Sequence, residues 1–120
     1  GRDLCYLSPR FVTNRFGSRG IGYLAPAGNG QMTLQETFGG KLAENCTQSI
    51  ARDLLAHAML RLEAAGYPIV FHVHDEAVME VPDGQGSVEE ACGIMAVPPD
   101  WARDLPLRAE GDEMAYYKKT

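Results

Sequence analysis

The sequence has few cysteines and none that can pair locally. Cys5, Cys46 and Cys92 are odd in number, about forty residues apart, and form no Cys-x-x-Cys. That disfavours a disulfide framework or a zinc knuckle and suits three reduced thiols in a cytoplasmic protein. No apolar run approaches the ~20 residues that span a bilayer, and the N-terminus lacks the layout of a signal peptide. Membrane and secreted classes drop out. Internal repeats and low-complexity tracts are also missing. There is no basic excess: the net charge is −5, which taken alone argues against a nucleic-acid binder. No initiator Met is present either, and the chain opens on Gly1-Arg2-Asp3, as a piece of a longer protein would.

What is present describes an ordinary globular segment. The 120 residues are 45% hydrophobic and 22% charged, enough for one domain with a real core. Charge is unevenly spread. Arg2, Arg10, Arg15 and Arg19 stand against Asp3 alone in residues 1–20, a local +3. Nine acids stand against Arg61 alone in residues 53–100, a local −8. Uneven charge is common on protein surfaces, but a concentrated acidic segment hints at metal binding.

Residues 1–34 read as a small antiparallel meander. Leu4–Leu7 is a strand candidate stopped by Ser8-Pro9, Ile21–Ala25 is a second, and Gly28-Asn29-Gly30 is a turn before Gln31–Leu34. Residues 35–66 change to helical spacing. Leu42, Cys46, Ile50, Leu54, Ala58 and Leu62 recur every four residues, with Ala43, Ala51, Leu55 and Met59 widening the stripe. Gly66 and then Pro68 mark the stop. Residues 69–82 read as a hairpin: Ile69–His74 and Ala77–Val81 flank Asp75-Glu76, which is not the usual glycine-containing turn. Residues 87–120 read as a short helix, a terminal strand and a tail. Ser87 with Glu90 is a capping box opening the helix, Pro98-Pro99 break it, and Leu105–Glu110 is an edge strand because Pro106 removes a ladder donor.

Two constellations could carry chemistry. The first is the hairpin tip, His74-Asp75-Glu76. Two adjacent carboxylates repel by about 1 kcal/mol at ~4 Å in water. A divalent cation reverses the sign, and hard oxygens are what Mg²⁺ and Mn²⁺ prefer. A solvated acidic turn is the commoner use of such a pair, but the β-prone flanks place these acids at the tip of a rigid hairpin. His72 and His74, two apart on a strand, would share a face, and with Asp75 they begin a two-histidine, one-carboxylate transition-metal site. His57 has no evident partner.

The second constellation is Lys41, Asn45, Gln48 and Arg52, spaced four, three and four. At 3.6 residues per turn they fall within about 60° of one another. Two cations alternating with two amides can contact phosphates and groove-edge acceptors. An ordinary solvated helix face would look similar. What favours the functional reading is adjacency, because this helix runs through a short turn into the acidic hairpin. A nucleic-acid-facing stripe beside a metal-binding tip is what metal-assisted phosphoryl transfer requires.

The stretch Gly39-Gly40-Lys41-Leu42, Glu44-Asn45, Gln48 and Ala51-Arg52-Asp53-Leu54-Leu55, followed by Val73-His74-Asp75-Glu76, resembles the C-terminal palm region of family A DNA polymerases, phage or prophage type. His-Asp-Glu corresponds to that family's motif C. The resemblance is dense from Gly39 to Pro82 and looser in Gly1–Tyr6, Asn14–Gly17 and Trp101–Gly111. One departure is Asp112 after Gly111, where relatives often carry Trp.

The resemblance implies an α+β fold: an antiparallel palm sheet with a motif C hairpin, packed on a long helix. It implies template-directed DNA synthesis from deoxynucleoside triphosphates on primer–template DNA, with two Mg²⁺ ions (Mn²⁺ a substitute). Asp75 would be a metal-holding carboxylate, Glu76 an accessory acid and His74 a neighbour of the primer terminus. Lys41, Gln48, Asn45 and Arg52 would contact the primer–template. The family's motif A Asp, fingers and thumb lie outside this chain, so the expectation is half a metal site and no activity alone. A non-catalytic DNA-binding remnant, or a mononuclear metalloenzyme using His72, His74 and Asp75, remains as an alternative. The −5 charge then ceases to oppose DNA binding. Its acids cluster around Asp75-Glu76, while cations lie at the N-terminus and along the helix stripe.

Overall fold

The computed structural model describes residues 2–118. The fold is α+β, with two antiparallel sheets and two α-helices. The chain forms two compact units, Gly1–Ser49 and Ile50–Thr120, and the long helix α1 (Gly39–Ala64) begins in the first and ends in the second.

The first unit is built on a meander, β1 (Leu7–Thr13), β2 (Arg19–Pro26) and β3 (Met32–Thr37), in the order β1-β2-β3. Both connections use a three-residue loop ending in a left-handed glycine, Gly17 (φ 77°) and Gly30 (φ 79°), the usual companion of a type I turn in such hairpins. Asparagine side chains fix both loops. Asn14 Oδ1 accepts from the N–H groups of Phe16 (3.0 Å) and Ser18 (2.9 Å), and Asn29 Oδ1 accepts from that of Gln31 (3.1 Å).

Two sequence expectations fail here. Leu4–Leu7 is not a strand stopped by Ser8-Pro9; β1 starts at Leu7 and runs through them. Leu7 pairs with Leu24 and Arg10 with Gly22, so Ser8 and Pro9 together oppose Tyr23 as a bulge. A bulge on an edge strand is where proline's missing donor costs nothing, and Ser8 absorbs the bend at φ 49°. The helix does not begin at Gln35. Gln35, Glu36 and Thr37 continue β3, paired with Tyr23, Gly22 and Ile21. Ladder pairing outweighs the weak helical preference of a segment that runs into Gly39-Gly40. The apolar stripe of α1 is buried in its second half, at Leu55, Ala58 and Leu62, while Cys46 and Ile50 are exposed.

The second unit holds the core. α1 ends where Gly66 was expected to cap it, in a Schellman motif: Tyr67 N–H reaches Leu62 C=O (3.0 Å) and Gly66 N–H reaches Glu63 C=O (3.1 Å). The fold then returns as a hairpin, β4 (Ile69–Val73) and β5 (Glu76–Met79). Leu62, Tyr67 and Ala91 form the buried centre, against which Ile69, Ala77, Met79, Val81, Ile94 and Met95 pack. The hairpin therefore sits on the helix end, as expected.

α2 (Val88–Met95) starts at the expected Ser87 cap, whose Oγ accepts from Glu90 N–H at 3.1 Å. The reciprocal arm of the box is relayed. Tyr67 Oη accepts from Ser87 N–H (3.1 Å) and donates to Glu90 Oε2 (2.5 Å). Gly86 makes room for it, since a Cβ there would lie 2.5 Å from that hydroxyl. Glu90 holds the Tyr67 phenol above its ordinary range chiefly through this hydrogen bond. The expected strand at Leu105–Glu110 does not form: after a 3-10 turn at Asp100–Ala102 the tail is irregular, and the second sheet keeps two strands. Pro106 lacks the donor an added strand would need.

Candidate functional site

The hairpin turns one residue earlier than the sequence suggested. Val73 pairs with Glu76, so the two-residue turn is His74-Asp75, and Glu76 is the first residue of β5. His74 takes the turn's left-handed position at φ 53°, a conformation costing a non-glycine residue roughly 1–2 kcal/mol. Asp75 is thereby placed at the apex. His72, His74, Asp75 and Glu76 are all exposed.

This revises two expectations. The turn is not Asp75-Glu76, because the ladder is shifted by one residue and closes on Val73 and Glu76. His72 and His74 do not share a strand face, since His72 is paired with Ala77 within β4 and His74 has left the strand. Among the described residues no group of three or more His, Cys, Asp and Glu side chains gathers around a common point. Asp75 and Glu76 supply hard oxygens, the donor type a magnesium-like ion takes, and further ligands would have to come from elsewhere.

A residue the sequence reading missed lies against the tip. Tyr117, in the tail, donates to Glu76 Oε2 at 3.3 Å and packs edge-on against Phe71, with ring centroids 4.9 Å apart. Partial desolvation, and then the charge and hydrogen bond of Glu76, raise its phenol above the ordinary range. No spacing in the sequence signals a contact between residues 41 apart.

The four residues of the helix stripe all lie on α1 but are unevenly engaged. Lys41, Gln48 and Arg52 are exposed on α1, and Asn45 is half-buried. Asn45 Nδ2 donates to Tyr6 Oη (3.0 Å), and Gln48 Nε2 donates to Glu44 Oε1 (3.2 Å). Lys41, Asn45 and Gln48 belong to the first unit, whereas Arg52 belongs with the hairpin tip to the second. Tyr6 in turn packs edge-on against Tyr23 of β2 at 4.9 Å. His57 is half-buried on α1. The three cysteines are free thiols.

Comparison with known proteins gives one informative likeness. The chain is 44% identical over 120 residues to a protein named DNA polymerase from Bacillus phage SP02, a match covering 99% of this chain. The chain spans 18% of the length of that relative. No protein-family model and no solved structure matches. Among the described residues no helix is long and apolar enough to cross a membrane.

Proposed function

We propose that this chain is a segment of a DNA polymerase, and more narrowly part of the palm of a family A enzyme of phage type. What supports the broad reading is the 44% identity to the phage polymerase along essentially the whole chain. What supports the narrower one is an exposed carboxylate at the apex of a tight β-hairpin, with a second carboxylate one residue on.

In this reading Asp75 and Glu76 furnish part of an oxygen-ligand set for Mg²⁺, completed by residues outside the chain. The bound cations would supply charge neutralisation at the attacking 3′-hydroxyl and the leaving pyrophosphate of an in-line displacement. The chain's own work is positioning. The hairpin fixes Asp75 at its apex, the core around Leu62 holds the hairpin on α1, and His74 carries over as the neighbour of the primer terminus. Lys41, Asn45, Gln48 and Arg52 contact the primer–template backbone or groove edge.

Asp75→Ala in the full-length polymerase tests this. Primer extension is expected to be lost while primer–template affinity stays within a few-fold. Near-normal turnover would remove Asp75 from the catalytic assignment. The isolated 120-residue chain is expected to show no Mg²⁺-dependent extension. Elemental analysis distinguishes a mononuclear metalloenzyme, which would retain a tightly bound transition metal through purification, from a weak and exchangeable Mg²⁺ site.

A further inference from the structure

The β1–β2 hairpin is unlike the rest of the molecule. From Leu4 to Gln35 there is no acidic residue, yet Arg10, Arg15 and Arg19 fall there, in a chain of net charge −5. Two of these arginines lie over exposed aromatic rings. The Arg19 guanidinium carbon sits 3.6 Å from the Phe11 ring centroid and that of Arg15 sits 4.7 Å from the Phe16 centroid. Phe11 is 67% exposed and Phe16, at the turn, is 77% exposed. Rings this open bury little against the protein's own core, and leaving them so is unfavourable unless something else covers them.

Register makes the hairpin one side of a larger surface. Phe11 pairs with Ile21 and Thr13 with Arg19, so Phe11, Arg19, Ile21 and Tyr23 project from the same face of the sheet. Tyr23 meets Tyr6 edge-on, and Tyr6 accepts the hydrogen bond from Asn45 of the helix stripe. Within the first unit, Asn45, Tyr6 and Tyr23 thus lead to the sheet face that carries Phe11 and Arg19, and Arg15 and Phe16 follow in the adjoining turn.

We infer that these groups form a binding track for a single strand of nucleic acid, with Arg15 and Arg19 meeting phosphates and Phe16 and Phe11 stacking against bases. Guanidinium groups alternating with open aromatic faces are the chemistry by which proteins hold single strands without reading sequence. A duplex fits it less well, because paired bases present no free faces to Phe16. A protein partner could cover the rings as well, but it would need acids placed to meet Arg15 and Arg19, where a nucleic acid supplies a phosphate at every step. The inference is independent of the metal chemistry proposed for the second unit, and of its residues only Asn45 is shared with the primer–template contacts proposed above.

The test is fluorescence anisotropy of the 120-residue chain with labelled (dT)20 and with a blunt 20-base-pair duplex, over a salt series. The chain is expected to bind (dT)20 more tightly than the duplex. Arg15→Ala/Arg19→Ala should weaken (dT)20 binding and make the log–log salt slope shallower by about 1.4, two phosphate contacts on a single strand. Phe16→Ala should cost on the order of 10-fold in affinity and leave the slope unchanged. Arg103→Ala, an exposed arginine of the second unit paired with Asp100, should leave affinity unchanged, and far-UV circular dichroism checks that each variant keeps the parent fold. No binding of (dT)20 by the parent chain, or parent-like binding by folded hairpin variants, overturns the track. An equal loss from Arg103→Ala overturns its location. Duplex preference together with no effect of Phe16→Ala overturns the single strand as occupant. Asp75→Ala leaves this binding intact on either outcome, so failure here is distinguishable from failure of the catalytic reading.

Discussion

The two units of this chain bury themselves in different ways. In Ile50–Thr120 the described residues include a true interior of Leu55, Ala58, Leu62, Tyr67 and Ala91. In Gly1–Ser49, among the described residues, only Gly22 and Thr37 are buried, while Phe11, Phe16, Leu34 and Phe38 stand open. Charge divides along the same line. Five Lys and Arg against three Asp and Glu give the first unit +2; six against thirteen give the second −7. The first unit is held by turn chemistry and ladder pairing and keeps its apolar and cationic groups at the surface. The second adds a buried core, although Leu60, Trp101 and Tyr116 stay open there too, and it presents two of its carboxylates at the hairpin tip. Nucleic-acid contact suits the first pattern, and metal holding suits the second.

Substitutions sharpen this contrast in decreasing order of effect. The largest is expected from Asp75→Ala in the full-length polymerase: a loss of primer extension of ~10³-fold or more in kcat, the scale of removing one preorganised electrostatic group. The unfolding curve of the isolated chain should not move. Leu62→Ala is expected to cost about 3 kcal/mol by urea denaturation, because Leu62 is fully buried at the centre of the only such cluster among the described residues. Phe16→Ala in the first unit should change stability by less than about 0.5 kcal/mol. Similar costs for the two would erase the distinction between the units.

Ser87→Ala comes next, at about 1 kcal/mol for a lost helix cap. The Tyr67 relay adds a pH dependence. Its phenol is raised in the folded state by Glu90, so its contribution is complete below the ordinary phenol range, about pH 10. It is lost as pH rises through that range towards the folded value, because the unfolded chain ionises first. Tyr67→Phe should remove this alkaline fall from a pH series of denaturation curves, and an unchanged fall would dissociate it from Tyr67. Thr37→Val is expected to act in the opposite direction. Thr37 Oγ1 is buried with no hydrogen-bond partner, so an apolar isostere should stabilise the chain by up to about 1 kcal/mol. A loss of stability would indicate a bridging water.

Legibility in the sequence followed the range of the interaction. The Gly66 stop, the Ser87 cap, the Gly28-Asn29-Gly30 turn and the 69–82 hairpin were readable because each depends on a few adjacent residues. The Ser8-Pro9 stop misled because edge position, a tertiary property, turns a strand breaker into a tolerated bulge. The helix start misled because pairing with β2 claimed Gln35–Thr37. In the candidate site the acidic pair lies at the hairpin end the sequence indicates, but the one-residue shift that makes Asp75 the apex came from the ladder. Tyr117 beside Glu76 and Tyr6 beside Asn45 had no sequence signal at all.

By itself, then, the sequence determined the local elements, the polar stripe on α1, the charge segregation and the identity of the residues at the hairpin tip. These rest on backbone propensity, periodicity and spacing, which act over a few residues. The tertiary structure decided which residues are buried, where the hairpin turns, how Tyr67 joins the α2 cap, and that Arg15 and Arg19 lie over open aromatic rings. Those outcomes depend on strand register and on contacts across many residues, and no local pattern encodes either.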